Sequence, residues 1–456
     1  MSPAAEPPRR AITALAEWLA VTQRTDIPDA VVARAGDCVL DAVGAALAGR
    51  EEQSSRVMAQ VMQAAMAAGT ARLWFEGAAV GTIAAAAANA MAATALDIDD
   101  GHRKAAGHPG AAVVAAACAV AEEVGASADE FAVALVCGYE AAVRVALARH
   151  PRHHDSTVSG RWSGIGAAAA AARLHRVSPE QMAQAILIAE QHAPRVSAAL
   201  HHGFAGSDVK EGIAWSVHSG LMAVDLARAG FRGYPDAFDQ NILYDPERLV
   251  ADLGRFGAID GLFFKPYACC RWIHAAIDAL AGIIAEAALA PEDIDRVEVE
   301  TFARGAGLGN HVAPTDGAQA QFSFPFCLGV TAVAGTAALL PLDETLIGDQ
   351  RIEAFARKVS VGLAPDMEAH FPALAPARVI VHCAGRRFAR TVKAAFGDPG
   401  NPMQRGDLRA KFRTLAHPRL PAHRIDRIEA ALALETIPGG QPVNDALEPI
   451  MAPISA

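Results

Sequence analysis

A stretch of fourteen residues, 97–110, holds three carboxylates, two imidazoles and two cations, and its first four residues are called the acidic turn below. Its glycines and proline interrupt any helix, while alanine-rich helical runs flank it at 84–95 and 111–124. A short turn clamped between buried helices can hold acid, base and cationic groups in fixed positions. The stretch predicts a proton-transfer site, with His108 as general base, held in place by the turn that starts at Asp97.

A second reactive stretch, 265–274, reads Lys-Pro-Tyr-Ala-Cys-Cys-Arg-Trp-Ile-His and lies where the pattern changes from helical to mixed. Ligand clefts often form at domain junctions, which favours a functional interpretation. The structural alternative is a capped helix start with buried thiols. With His108 and Asp97, the predicted acid–base groups are Lys265, Lys210, Tyr267 and Cys270, and the predicted substrate-binding groups are Arg271, Arg161, Arg103 and His102.

The scarcity of lysine supports the choice of two of these residues. The chain has six lysines against thirty-four arginines. An ammonium is a compact charge whose pKa falls on burial, so a lysine can act as an acid or a base where an arginine cannot. A solvated surface position is the alternative for every lysine. The six are Lys104, Lys210, Lys265, Lys358, Lys393 and Lys411.

Composition and charge argue against several classes of function. A net charge of −10 argues against nucleic acid as the main partner. The uncharged run 79–96 has the length of a membrane span, but it is mostly alanine and includes Thr82 and Asn89. We therefore expect no membrane partner. The seven cysteines lack Cys-x-x-Cys spacing, which indicates reduced thiols in the cytoplasm rather than disulfides or a zinc site.

Histidine pairs raise the question of a bound metal ion. His102 with His108, or His153 and His154 with Asp155, could supply ligands. Neither group has the His-x-x-x-His spacing that places two ligands on one face of a helix. We therefore expect no metal ion.

The hydrophobic pattern predicts a mainly α protein, with a large all-helical domain and a smaller α+β domain. Helical periodicity fills the first part of the chain and includes one helix from Lys210 to Ala229. After a helix at 274–287, strand-like runs occur at 296–301, 358–363 and 377–384, and the run 388–395 pairs with the last as a hairpin. The predicted boundaries are 1–265 for the helical domain, 266–400 for the α+β domain and 401–456 for helices that return to the first domain.

Several motifs resemble those of the MmgE/PrpD superfamily. They are the stretch 97–110, which begins with the acidic turn and ends in His108-Pro-Gly, the glycine–alanine run 166–174, the Lys210 segment ending at Phe231, and Lys265-Pro-Tyr-x-x-Cys-Arg. They occur in the family's order and cover most of the chain. The resemblance implies an all-helical domain with a smaller α+β lid domain, a homodimer, a small polycarboxylate substrate, and neither a metal nor an organic cofactor. The family includes 2-methylcitrate dehydratase, cis-aconitate decarboxylase and iminodisuccinate epimerase.

The resemblance carries over to the site in part. Asp97, His108, Lys210 and Lys265 match positions that line the site in the decarboxylase-like members. Where those members have a threonine, two histidines and a tyrosine, this chain has Gly101, Thr157 with Cys270, and Phe326. The loss of these groups favours a cofactor-independent epimerase that moves the proton beside a carboxylate of a small (amino)polycarboxylate such as iminodisuccinate. The alternatives are a hydro-lyase of the 2-methylcitrate dehydratase type, a lyase like cis-aconitate decarboxylase, and a non-catalytic polycarboxylate-binding protein.

Overall fold

The computed structural model describes residues 10–150, 158–196 and 207–454. Helices dominate these residues, and the strands form one small sheet and two short ladders, so the predicted mainly α fold with a smaller second domain is confirmed. The helices are α1 Ala11–Val21, α2 Asp29–Gly49, α3 Gln53–Ala65, α4 Thr82–Thr94, α5 Gly110–Val124, α6 Ala128–Ala148, α7 Ser163–Leu174, α8 Pro179–Gln191, α9 Ile213–Arg228, α10 Pro246–Val250, α11 His274–Ala287, α12 Ala303–Ala306, α13 Gly317–Gln321, α14 Phe324–Val333, α15 Gln350–Ala356, α16 Pro365–Glu368, α17 Arg405–Ala416, α18 Ala422–Ala431 and α19 Val443–Met451. The strands are β1 Ala71–Arg72, β2 Ala79–Val80, β3 Gly101–His102, β4 Leu262–Phe263, β5 Arg296–Thr301, β6 Val359–Leu363, β7 Ala377–Cys383 and β8 Arg386–Val392.

Alanine and glycine allow the helices of the first part of the chain to pack closely. The helices α4, α5 and α7 are buried over most of their lengths, and most of their side chains end at Cβ. Where α7 crosses α9, a Cβ atom on Gly164 or Gly220 would overlap the backbone of the other helix. Glycine at these two positions therefore sets the separation of the two helices.

The helix α6 begins at a predicted capping box and passes through the core. The Ser127 backbone N–H donates to the Glu130 carboxylate at 2.9 Å, and the Glu130 N–H donates back to the Ser127 hydroxyl at 3.3 Å. The helix is long and apolar enough to cross a membrane, but 94% of its most apolar window is buried inside the protein. Its hydrophobicity is that of a core helix.

The helix predicted from Lys210 begins later than expected. Lys210 and Gly212 have positive φ angles of 43° and 68°, and α9 starts at Ile213. A left-handed residue cannot continue a right-handed helix, so Lys210 lies in the loop before it. The predicted start was therefore wrong, and this loop gives the lysine a different direction from that of a helical side chain.

The second part of the chain is built on a four-stranded sheet with the order β6-β5-β7-β8. The strand β5 pairs in parallel with β6 and antiparallel with β7, and β7 and β8 form the predicted hairpin. The helices α11 and α14 pack on this sheet, and α11 spans the predicted residues. The alternating apolar residues of β5 and β7 are buried beneath these helices.

Two hydrophobic cores meet at the acidic turn. The first contains α4, α5 and residues beyond 401 such as Leu408 and Phe412. The second contains the apolar residues of the four-stranded sheet and its helices, together with Leu96, Ile98 and Leu415. The turn therefore connects α4 and α5 of the first core, while Leu96 just before it and Ile98 within it pack in the second core. The domain boundaries at 265 and 400 stay predictions.

Candidate active site

The ladder between β3 and β4 brings the acidic turn to the second reactive stretch. Gly101 pairs with Phe263, and His102 pairs with Leu262, in antiparallel register. Continuing that register by two residues places Lys265 opposite the acidic turn. Lys265, the first residue of the second reactive stretch, thus joins the acidic turn although the two are far apart in sequence.

The backbone of the acidic turn sends its side chains in two directions. Leu96 and Ile98 are buried in the second core. Asp97, with a φ angle of 55°, and Asp99 instead extend towards His108, and each has a carboxylate oxygen 3.6 Å from a ring nitrogen of that histidine. Packing of the two apolar residues therefore holds the two carboxylates beside the imidazole.

His108 is held in a single orientation and tautomer. Its Nδ1 lies 2.6 Å from the carbonyl oxygen of Asp100, and its backbone N–H donates to the Ser159 hydroxyl at 2.8 Å. A carbonyl oxygen only accepts hydrogen bonds, so Nδ1 carries the proton and the neutral ring keeps its lone pair on Nε2. Nε2 lies 3.6 Å from the Asp97 carboxylate. The basic nitrogen is therefore on the side of the ring that faces Asp97.

The charges around His108 favour its protonated form. Burial lowers its pKa, and the Lys265 ammonium lowers it further. The carboxylates of Asp99, Glu211 and Asp97 more than compensate and hold the pKa of His108 above its ordinary value of 6.5. The imidazole is therefore a stronger base than an ordinary histidine, and its protonated form can return the proton.

Two lysine ammoniums bind backbone carbonyls of the acidic turn and of the residues just before it. Lys265 is 1% exposed, and its Nζ lies 2.7 Å from Asp97 Oδ1 and donates to the Asp97 carbonyl oxygen at 2.7 Å. Lys210 donates to the carbonyl oxygen of Ala95. Burial raises the pKa of Asp97, but Lys265, His108 and Lys210 outweigh it, so the pKa of Asp97 is lowered. Burial lowers the pKa of Lys210 despite the nearby carboxylates. The cluster thus contains an ionised carboxylate between cations.

Asp99 differs from its neighbour. The side chain is fully buried, and among the described residues neither carboxylate oxygen has a hydrogen-bond partner. Burial raises the pKa of Asp99 to about 6, against the opposing charges of His108 and Lys265. A buried carboxyl without a hydrogen bond is costly, and such groups are concentrated at functional sites.

Asp100 has a structural role in the same turn. Its carboxylate accepts the Gly110 N–H at the start of α5 at 2.8 Å and the Tyr139 hydroxyl at 2.7 Å. Burial raises the pKa of Asp100 to about 7. A Cβ atom at Gly110 would overlap this carboxylate, which is why glycine follows His108-Pro. Asp100 therefore ties the acidic turn to the helix that follows His108.

The predicted substrate-binding arginines have other partners. Arg271 is buried, and its guanidinium lies 3.0 Å from Asp398 and also binds three backbone carbonyls. Arg103 lies 3.2 Å from the same Asp398 carboxylate. Arg161 lies 2.6 Å from the Glu190 carboxylate. The structure thus brings together Asp97, His108, Lys210 and Lys265, and directs these three guanidinium groups to ion pairs elsewhere.

His102, in β3, has partners outside the cluster. Its Nδ1 accepts the Ala105 N–H at 3.1 Å, and burial, with the charges of Lys104 and Arg103, lowers the pKa of His102 to about 4. It lines a cavity of about 590 Å³ together with Arg103 and Asp398. None of the four clustered residues lines this cavity. His102 is therefore a neutral side chain outside the cluster.

The cluster also bears on the metal question. Ligand atoms of Asp97, Asp99 and His108 lie within 4.8 Å of one another. However, the Lys265 ammonium is already 2.7 Å from the Asp97 carboxylate, so a cation fills that position. We therefore assign no step to a metal at this cluster. The other predicted group, His153 and His154 with Asp155, lies outside the described residues.

Comparison with protein families identifies the chain. Residues 13–244 match the MmgE/PrpD N-terminal domain, and residues 267–435 match the MmgE/PrpD C-terminal domain. The chain belongs to the MmgE/PrpD family. The resemblance drawn from the motifs is thus confirmed, and the chain is an enzyme of that superfamily.

Similar proteins within the MmgE/PrpD family come from two fungi. Cis-aconitate decarboxylase of Aspergillus terreus is 24% identical over 482 aligned positions, covering 96% of each chain. The cis-aconitate decarboxylase-like protein oryM of Aspergillus oryzae is 25% identical over 461 positions, covering 92% of this chain and 94% of its own. The similarity therefore extends over both domains.

The structure gives a physical reason for one departure from the decarboxylase-like MmgE/PrpD members. A Cβ atom at Gly101 would overlap the ring of Phe263, its partner in the ladder. The Phe263 ring also packs edge-on against His108, with ring centroids 6.3 Å apart. Phenylalanine thus occupies the space that a threonine side chain at position 101 would need.

Of the four other positions named from the sequence, the three that the structure describes, Tyr267, Cys270 and Phe326, are not members of the hydrogen-bonded cluster. Tyr267 donates its hydroxyl to Asp278 at 2.8 Å, and burial raises its pKa, so this phenol already has a partner. Cys270 is half-buried, and burial, with the charge of Asp97, raises its pKa to about 12, so the thiol is neutral. Phe326 is fully buried in the second core. Thr157 lies outside the described residues.

Sequence reasoning missed three residues that support the cluster. Asp99 is one of the three carboxylates of the acidic turn, but its burial without a hydrogen bond is visible only in three dimensions. Glu211 accepts the Ser159 N–H at 2.8 Å, and Ser159 in turn accepts the His108 backbone N–H. The position of Glu211 directly after Lys210 was the one available signal for it.

Proposed function

We propose that the chain is a cofactor-independent epimerase that moves the proton at the carbon beside a carboxylate of a small (amino)polycarboxylate such as iminodisuccinate. One observation carries the proposal. The Asp100 carbonyl fixes the proton of His108 on Nδ1, so the basic Nε2 lies beside an Asp97 carboxylate that also binds the Lys265 ammonium. A base and two adjacent cations are what removal of such a proton requires.

In the forward step, His108 Nε2 takes the proton from the carbon, and the bonding electrons move into the adjacent carboxylate to form an enediolate. The ammoniums of Lys265 and Lys210 stabilise the charge that develops on its oxygens. This stabilisation is strong because both lysines are held in place by hydrogen bonds to the backbone. The protein thus supplies the positive field without rearranging.

Inversion requires a second acid that returns a proton to the opposite face. We assign this step to Lys265, because its ammonium lies in the cluster, 2.7 Å from Asp97, whereas the Tyr267 hydroxyl donates to Asp278. After the return, His108 is protonated and Lys265 is neutral. Asp97 lies between them, so a proton can pass from the imidazolium to the amine and restore the starting state.

A lyase is the second candidate, and the named relatives favour it. Two Aspergillus proteins called cis-aconitate decarboxylase or cis-aconitate decarboxylase-like are similar over both domains. Loss of CO₂ from a polycarboxylate leaves a carbanion that must be protonated. His108, whose pKa is raised, would be the donor. For this reaction the same cluster would act on a different bond.

The two functions are separated by one set of measurements. Purified protein is incubated in heavy water with iminodisuccinate, methylcitrate and cis-aconitate, and each mixture is followed by NMR and by ultraviolet absorbance. An epimerase incorporates deuterium at the carbon beside the carboxylate without losing water or CO₂. Release of CO₂ or formation of an unsaturated product contradicts epimerisation and supports the lyase. Binding without turnover of any of the three acids supports the non-catalytic alternative.

The remaining expectations belong to the same proposal. A small polycarboxylate is the proposed partner, with no nucleic acid and no membrane, and the enzyme is proposed to be a cytoplasmic homodimer. Sedimentation analysis of the purified chain measures the last point directly.

A further inference from the structure

A third lysine reaches the acidic turn from the C-terminal part of the chain. Lys411 lies on α17, is 3% exposed, and contacts two oxygens. Its Nζ lies 2.6 Å from Asp41 Oδ1 on α2 and donates to the Ile98 carbonyl oxygen at 2.6 Å. Among the six scarce lysines, this one was assigned no role by the sequence motifs.

The backbone carbonyls of residues 95–98 accept hydrogen bonds from four side chains, each from a different part of the chain. Lys210 donates to the carbonyl of residue 95, Lys265 to that of residue 97 and Lys411 to that of residue 98. The side-chain amide of Gln321, at the end of α13, lies 3.5 Å from the carbonyl oxygen of residue 96. A buried turn between helices has no ladder or helical partners for these oxygens, so side-chain donors must replace them. The geometry of the turn therefore depends on these donors.

We propose that Lys411 is a positioning residue of the active site: it holds the peptide carbonyl of Ile98 and thereby aims Asp97 and Asp99 at His108. The inference rests on the proposed function only in that turnover is one of its readouts. Ile98 lies between the two aspartates, so rotation of its peptide moves both carboxylates. An ammonium suits this position because it is compact and its three donors can bind the Asp41 carboxylate and the carbonyl together.

The two contacts of Lys411 allow stability and positioning to be separated. Lys411→Met alone leaves Asp41 as a buried carboxylate without its cation, so we expect strong destabilisation. The double variant Lys411→Met with Asp41→Asn removes both charges of the ion pair and leaves the net charge unchanged. It keeps a side-chain oxygen for the Asp100 N–H, which Asp41 accepts, and should recover most of the melting temperature. The Ile98 carbonyl still lacks its donor in the double variant. We expect kcat to fall roughly 10- to 100-fold, as for a small misplacement of reacting groups.

A readout independent of substrate keeps the test valid if the proposed reaction is wrong. The titration of His108 is followed by NMR with labelled histidine and assigned with His108→Gln. Asp99, Glu211 and Asp97 raise the pKa of His108, while Lys265 lowers it. If the double variant turns the two aspartates away, the pKa of His108 falls relative to the native protein. Absence of turnover in the native protein would contradict the proposed function and leave this readout intact.

Lys358 provides the matched control. It lies directly before β6 and also donates to two backbone carbonyls, those of Pro291 and Ile294, and neither belongs to the acidic turn. Lys358→Met should leave kcat and the titration of His108 unchanged. The inference is overturned if the stable double variant keeps native kcat and a native His108 titration, or if Lys358→Met changes both to the same extent.

Discussion

Two buried regions at the domain junction use cations in opposite ways. In and just before the acidic turn, lysine ammoniums bind Asp97 and the backbone carbonyls of residues 95, 97 and 98. In the loop around Asp398, two guanidinium groups, from Arg103 and Arg271, bind a single carboxylate. The second Asp398 oxygen accepts the Ala395 N–H at 3.0 Å, so both of its oxygens have partners.

The two regions differ in whether their groups can exchange protons. The arginine-bound loop satisfies its carboxylate fully, and guanidinium groups do not release protons near neutral pH. The lysine-bound turn contains a buried imidazole and leaves Asp99 without a hydrogen bond among the described residues. Buried ion pairs alone therefore do not mark an active site in this protein. A carboxylate with both oxygens buried and without a hydrogen bond is the better indicator, and among the described residues Asp99 is the one in that state.

The largest effect is expected from removing the base of the lysine-bound turn. His108→Ala should lower turnover by roughly 10³-fold, within the range that a general base contributes. The measurement is the rate of deuterium incorporation or product formation with the substrate found in the screen. The control is His382→Ala, which should keep near-native turnover. His382 lies on β7 and is paired with Glu298 at 2.9 Å. Equal losses in the two variants would contradict the assignment of the base.

A smaller effect is expected from exchanging the type of cation. Lys265→Arg keeps the charge but places a larger, non-titrating group in a position that is 1% exposed. We expect kcat to fall roughly 100-fold, because the Asp97 contact moves and no proton can be returned. Steady-state kinetics measure this. Lys393→Arg at an exposed position should have no effect, and native activity of Lys265→Arg would remove the distinction between the two regions.

The next variant changes the pH dependence rather than the maximum rate. His108 must be neutral to act as a base, so activity should rise with pH through its pKa, which lies above 6.5. Asp99→Asn removes the carboxylate that raises this pKa most, so the acid limb of kcat/KM should move to lower pH. Asp37→Asn removes another carboxyl whose pKa is raised by burial, on α2, and should leave the limb in place. An unmoved limb in Asp99→Asn would show that Asp99 does not act on His108.

The smallest effect on turnover is expected in the arginine-bound loop. Asp398→Asn leaves two buried guanidinium groups without their anion, so the free energy of unfolding should fall by about 3 kcal/mol. Turnover per folded molecule should change little, because Asp398 contacts none of the clustered side chains. Thermal unfolding and kcat are measured on the same sample. A large loss of kcat with native stability would place this loop in the chemistry.

The sequence predicted which residues form the cluster better than it predicted the partners of the other candidates. His108, Lys210, Lys265 and Asp97 were identified from residue type and motif, and the strands and α11 from periodicity. The role of Arg271 was not predictable, because its partner Asp398 is distant in sequence and no local pattern reports an ion pair. The same holds for the contact between β3 and β4, which are too short to have a recognisable alternation.

The scarcity of lysine indicates more residues around the acidic turn than the motifs do. Lys210 and Lys265 belong to motifs as well as being scarce lysines. Lys411 has no motif around it, yet it contacts the same turn. The start of α9 was misplaced because a non-glycine residue at positive φ, Lys210, leaves no trace in hydrophobic periodicity.

The contact between Gly101 and Phe263 limits how this site can change by mutation. Any side chain at position 101 collides with the Phe263 ring, so the first of two substitutions must be a smaller residue at position 263. The reverse order passes through a clashing intermediate. The two positions are therefore epistatic, and libraries that aim to recover a hydroxyl beside the imidazole must vary them as a pair.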